Sequence, residues 1–172
     1  LRGADVRVLE LPWATSTEQA ETVIEQMSAA LGREEVGGAL IAGMREQRRQ
    51  LTWAGAPLGT AVYLEANRGT SGKGSLRDEL LRLSGYRNLA ADLGIGSFGR
   101  LSLEAVLAGQ PDLLVFDGTA NDNPARATEF VGHHALLALA GKTKLASVPT
   151  RYSICAGPDN FEVMRRLAET RR

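Results

Sequence analysis

Apolar and polar positions alternate along residues 6–12 (VRVLELP), the period of a strand. The period then changes. Ala20, Val23, Ile24, Met27, Ala30 and Leu31 recur at helical spacing, Thr15 and Glu18 fit a capping box ahead of them, and Gly32 supplies the stop. A second helix is predicted over 34–51, with Val36, Leu40, Met44 and Leu51 on one side. It holds Gly37, Gly38 and Gly43, each costing a helix about 1 kcal/mol relative to alanine. Close packing against another element is the expected reason, with hinge flexibility as the alternative.

Beyond a loop at 53–57 the pattern becomes an alternation of strands and helices. Residues 60–66 (TAVYLEA) read as a strand, followed by a glycine-rich loop, NRGTSGKGS. Ser75 caps a helix carrying Leu76, Leu80 and Leu83, and Gly85 ends it. A short helix near 88–93 leads to a second glycine-rich loop at 94–99, and Ser102 caps the helix LEAVLA. Pro111 introduces the apolar strand DLLVF; Asn123 and Pro124 give another helix start; residues 144–149 form a further strand. Gly157 and Pro158 open a terminal helix with Phe161, Met164, Leu167 and Ala168 inward. The runs at 112–116 and 144–149 are nearly continuous in apolar residues, as strands covered by helices on both faces are. The fold class is therefore α/β, a three-layer unit with a mostly parallel central sheet.

Composition narrows the function. The 172 residues carry 20 basic and 20 acidic side chains, without the basic excess of a nucleic-acid-binding protein. No apolar run approaches the roughly 18 residues of a membrane-spanning helix. Cys155 is the single cysteine, so no disulfide forms within the chain; it reads as a small buried residue. Leu1 leads directly into the first strand-like run, and the numbering is expected to begin inside a longer protein.

Several motifs invite chemistry. The loop from Gly69 to Ser75 stands where a phosphate-binding loop stands, and Leu113–Asp117 imitates the strand ending in a magnesium-holding Asp. The spacing is wrong for that motif: Gly69 and Gly72 are too close, and Gly74 rather than Ser or Thr follows Lys73. A nucleotide-binding enzyme is thus the alternative reading. The adjacent His133 and His134 diverge by about 100° on a helix and do not converge on a metal. Ser153 lies in no nucleophile-elbow pattern. Neither catalytic residues nor a resident cofactor or metal are expected. Tyr63 and Phe116 read as core. Phe98 and Tyr152 occupy loops, as do Arg68, Lys73, Arg100 and Arg151. Ligands of open α/β sheets bind outside the carboxyl ends of the strands, so Arg68, Lys73, Phe98, Arg100 and Tyr152 are the candidate ligand-binding residues. Aromatic rings there suit a planar or chelate ligand and guanidinium groups suit carboxylates; Tyr152 is also a candidate oxygen ligand to haem iron.

The ordered segments TSGKGSLRDELLRLSGYRNLA, GRLSLEAVLAGQPDLLVF, HHALLAL and VPTRYSICAGPDNFEVMRRLA together resemble the periplasmic iron-siderophore, haem and cobalamin binding proteins of ABC importers. Ser84–Asn88 matches the turn after a leucine-rich helix, Ser102-Leu103-Glu104 the S-x-E helix start, Pro111-Asp112 the following strand, and Cys155–Pro158 the closing turn. His134 stands where the family has proline. The resemblance covers nearly the whole chain. It implies one lobe of a two-lobed protein, with residues 1–32 as the end of the N-terminal lobe, 33–52 as a long bridging helix and 57–172 as the C-terminal lobe. It also implies a periplasmic or lipid-anchored receptor. Its cleft would close on an iron chelate, haem or cobalamin by hinge motion, and Glu104 would dock on an inner-membrane ABC permease.

Overall fold

The computed structural model describes residues 8–116 and 142–171. The helix expected after Asn123 and Pro124 and the pair His133–His134 lie outside them. The described elements are α1 (Thr17–Ala30), α2 (Glu34–Leu51), β1 (Thr60–Leu64), β2 (Gly69–Thr70), α3 (Leu76–Leu83), β3 (Arg87–Asn88), α4 (Leu89–Asp92), β4 (Gly99–Arg100), α5 (Leu103–Gly109), β5 (Leu113–Phe116), β6 (Lys144–Ser147) and α6 (Asn160–Glu169).

Four strands form one sheet in the order β3-β1-β5-β6, every neighbour parallel. Strand side chains alternate between the faces, and both faces are covered. Ala61, Tyr63, Leu113 and Val115 join a core with Leu80 and Leu81 of α3 and Phe161, Met164 and Leu167 of α6. Val62, Leu64 and Leu114 point the other way, onto Leu89 and Ala90 of α4, Leu101 and Val106 of α5. This is the expected three-layer arrangement. At β6, the outer strand of the described sheet, Ala146 is buried while Leu145 is exposed, so among the described residues only one face of this strand is covered. β2 and β4 pair separately as a short antiparallel ribbon.

The predicted caps at Ser75 and Ser102 form, and Asn88 caps α4 as well: each side chain accepts a backbone N–H from the first turn that follows. At α1 the cap is Ser16 rather than Thr15. Ser16 Oγ accepts from the Gln19 amide at 3.0 Å, and Gln19 returns a bond to the Thr15 amide at 2.7 Å. The glutamine one residue beyond Glu18 completes the motif and shifts it by one position.

Three other expectations are corrected. Residues 8–12 form no strand; a strand needs a neighbouring edge, and none lies beside them among the described residues. The apolar side of α2 is only half used. Met44 is buried against the core, but Val36 and Leu40 are exposed, as are Met27 of α1 and Leu31 just after it. Helical periodicity marks a face along a helix's whole length, whereas burial extends only as far as there is something to pack on. Cys155 is exposed, not buried. Of the three glycines of α2, Gly37 fits the close-packing explanation, since a Cβ there would collide with the Ser28 side chain of α1; Gly38 and Gly43 face open space.

α1 and α2 pack on each other, joined by Arg45–Glu21 at 2.8 Å and Arg48–Glu18 at 2.6 Å. They are fastened to α3 through Glu79. Its carboxylate accepts the Thr17 amide at 2.7 Å and the Thr17 hydroxyl at 3.2 Å, and Arg48 stands 3.7 Å away.

Candidate functional site

The loops that leave the carboxyl ends of β1 and β6 meet the loop between α4 and β4 and the segment before α1. They enclose a cavity of about 380 Å³. Its rim is apolar: Trp13, Phe98 and Ile154 line it and are all well exposed. Its inner wall carries Ser71, Ser75, Thr150 and Ser153, together with Glu65 and Arg77. The location agrees with the rule for parallel sheets that sites lie beyond the strands' carboxyl ends.

Local sequence explains the wall. The two glycine-rich loops lie against each other, with the Gly72 amide donating to the Gly96 carbonyl and the Lys73 amide to the Ile95 carbonyl, both at 2.9 Å. A Cβ at Gly72 would collide with those same carbonyls, so this close approach requires glycine. Asn67 and Arg68 both adopt positive φ, which turns the chain sharply after β1 and brings Glu65 back beneath Gly69.

Arg77 sits in the first turn of α3 and is only 6% exposed. It forms an ion pair with Glu65, its Nη1 donates to Ser71 Oγ at 3.3 Å and its Nε to Ser153 Oγ at 3.1 Å. The guanidinium lies over the Tyr63 ring, 5.1 Å from its centroid. Burial pushes the Tyr63 hydroxyl far above the usual phenol range, against the opposing pull of Arg77, and it remains neutral.

Of the five candidate ligand residues, Phe98 lines this cavity. Tyr152 lies between two lining residues, Thr150 and Ser153, in a 3-10 turn. Its own ring is half-buried against the main core, with the guanidinium groups of Arg151 and Arg166 at 4.6 and 5.6 Å from the centroid. Arg68 and Arg100 are exposed at the β2–β4 ribbon, where the Leu101 amide donates to the Arg68 carbonyl. Lys73 borders a second cleft with Asp78, Arg82 and Asn88. Sequence reasoning missed Glu65, Ser71, Arg77 and Ser153. One signal was available: Arg77 stands four residues before Leu81 and so shares a helix face with a core leucine.

Glu104 is exposed in the first turn of α5. Its own backbone N–H, then the Ser102 hydroxyl, and then the nearby positive charge of Arg68 hold its carboxyl below the usual range. The loop amides of Gly72 and Lys73 are already spent on the neighbouring loop. Those two backbone donors of the Gly69–Ser75 loop are therefore not free to meet a phosphate. Among the described residues no cluster of His, Cys, Asp and Glu suited to a metal ion occurs, and no helix is long and apolar enough to cross a membrane.

No family model matches the chain, and no curated protein matches it. Solved structures do. A periplasmic heme binding protein from Pseudomonas aeruginosa superposes with a TM-score of 0.76 at 21% identity, over 98% of this chain and 64% of that one. An ABC-type Fe3+-hydroxamate transport system protein from Saccharomonospora viridis gives 0.68 at 20% identity, over 91% and 56%. A periplasmic vitamin B12 binding protein of Vibrio cholerae gives 0.69 at 17% identity, over 91% and 61%. The likeness is one of fold: over less than two thirds of their length, this chain folds as these ABC-transport and periplasmic binding proteins do.

Proposed function

We propose that this chain is the C-terminal lobe and bridging helix of the solute-binding component of an ABC importer. In this reading residues 1–32 end the N-terminal lobe, 33–52 bridge, and 57–172 form the C-terminal lobe. The whole protein is a non-enzymatic receptor in the periplasm, or lipid-anchored at the cell surface. It captures a ferric siderophore, haem or cobalamin between its lobes and delivers it to a membrane permease. The observation that carries this reading is the apolar-rimmed cavity at the carboxyl ends of a parallel sheet, in a fold shared with solved proteins of that kind.

The two helices support it. Met44 of α2 is buried in the main core, while Val36 and Leu40 in the half nearer its start leave apolar side chains exposed. A second lobe at that end would cover them. Phe98 and Tyr152 serve ligand contact in this reading, with Arg68, Lys73 and Arg100 on the surrounding loops, and Glu104 is the permease-docking carboxylate.

Isothermal titration of the full-length protein with a ferric hydroxamate, haem and cobalamin tests the reading. One of them should saturate at one site. The 172-residue chain should bind the same ligand far more weakly, because closure supplies contacts from both lobes. Sub-micromolar binding by the chain alone would refute the two-lobe account. Saturable binding of a magnesium nucleotide in place of all three would replace the receptor reading with the nucleotide-enzyme one.

A further inference from the structure

Three helices end at one place. Thr52 caps the end of α2, Ser84 that of α3 and Thr170 that of α6, and the residues that follow draw the ends together. The Trp53 amide donates to the Leu83 carbonyl at 2.8 Å, and the Leu58 amide to the Gly85 carbonyl at 2.9 Å. The Trp53 ring lies so close to Gly85 that a Cβ there would stand 2.4 Å from its Cδ1. A helix carries partial negative charge at its C-terminus, on carbonyls that have no partner within the helix. Ends that converge in this way repel one another and need a donor between them.

Arg171, the first residue after the cap of α6, supplies that donor. Its Nη2 donates to the carbonyl of Leu51, the last residue of α2, at 3.4 Å, and to the Ser84 carbonyl at 3.2 Å. Its guanidinium carbon lies 4.8 Å from the centroid of the Trp53 ring, within the range of a cation–π contact. Other arginines near these helix ends are engaged elsewhere: Arg48, Arg49, Arg82 and Arg166 each pair with a carboxylate. The rigid guanidinium fork suits two carbonyls at once, whereas an ammonium is a point charge on a flexible stem.

We propose that Arg171 is a clasp that sets the direction of α2 on the lobe. By bridging the last carbonyls of α2 and α3 over Trp53, it makes the 52–57 connection a fixed joint, and α2 and the lobe move as one body. In the receptor reading, any pivot for closure then lies elsewhere than at this connection. The contacts that carry the proposal lie within this chain and stand without that reading.

The test measures the direction of α2 in the folded, full-length protein. Spin labels are attached at Gly38→Cys, a position on α2 that faces open space, and at Ala108→Cys, exposed on α5. The background is Cys155→Ser, because Cys155 is itself exposed. Gly38 lies about 20 Å along the helix from Leu51, so a tilt of about 10° at the joint moves it roughly 3–4 Å. Arg171→Met keeps the length of the side chain and removes its charge and donors. Pulsed EPR should then show the label-to-label distance shifted or broadened by about 3 Å or more, at a temperature where the protein is fully folded. Arg171→Lys keeps the charge without the fork and should fall between the two. A role limited to stability would lower Tm and leave the distribution as it is. The proposal is overturned if Arg171→Met changes the mean and the width by less than about 1 Å. Should that variant not fold, Arg171→Lys decides, and an unaltered distribution overturns the proposal. No ligand enters the measurement, so its failure leaves the receptor reading standing, and failure of that reading leaves this result in place.

Discussion

Glu79→Ala tests how the first two helices are held to the lobe. Thr17 is the first residue of α1, and its amide is one of the donors that a helix start cannot satisfy internally. Ser16 serves the Gln19 amide, while the Thr17 amide is served from another helix, by Glu79 of α3 at 2.7 Å. Thr17 is 1% exposed and Glu79 8%, so water does not readily replace the lost acceptor. A hydrogen bond to a charged group contributes about 1.5–3 kcal/mol, and a stranded buried donor costs about 1–3 kcal/mol. These overlap as descriptions of one loss. The Thr17 hydroxyl contact at 3.2 Å and Arg48 at 3.7 Å add less, being longer. The expected destabilisation is about 2–3 kcal/mol. For a chain of this size that corresponds to a fall in Tm of about 4–12 °C. Glu79→Gln keeps an oxygen for the amide and should cost about half as much. Urea denaturation gives the energies, and hydrogen exchange at Thr17 gives the location. If Glu79→Ala changes stability by less than about 0.5 kcal/mol, or leaves exchange at Thr17 unaltered, α1 is not held to the lobe in this way.

Phe161→Ala empties the centre of the main core, where Phe161 is fully buried. It should cost about 3–5 kcal/mol, read as a lower urea midpoint at unchanged slope. Gly72→Ala forces a methyl group against the carbonyls of Ile95 and Gly96 and should destabilise by about 1–3 kcal/mol; an unchanged melting temperature would refute the loop-on-loop packing. On the proposed function, Glu104→Arg should abolish most uptake through the permease while ligand affinity stays within about threefold, roughly 0.7 kcal/mol, and undiminished uptake would remove the docking role. Because the Glu104 carboxyl is held below its usual range, its negative charge persists as pH falls through the ordinary carboxylate range and is lost only below it. Permease docking measured against pH should follow that order, and a loss at or above the ordinary range would point to a different group.

The amino-acid sequence by itself determined what depends on near neighbours. Ser75, Asn88 and Ser102 cap helices because an acceptor just before a helix start is needed wherever that helix lies. Gly85, at positive φ, ends α3 for an equally local reason. The alternation of strands and helices fixed the α/β class, and of the two apolar runs read as covered on both faces, 112–116 is buried on both while 144–149 leaves Leu145 exposed. The order of segments was enough to suggest the binding-protein fold. The tertiary structure decided what depends on distant partners. Residues 8–12 have strand periodicity and no edge to pair with, and Val36 and Leu40 lie on an apolar helix face that nothing described covers. Arg77 carries in the sequence only the hint that it shares a helix face with Leu81. Only the fold reveals that Ser153, 76 residues away, and Glu65 close over it. Burial and charge pairing are properties of the chain's long-range neighbours, and periodicity records only which way a side chain points, not what it meets there.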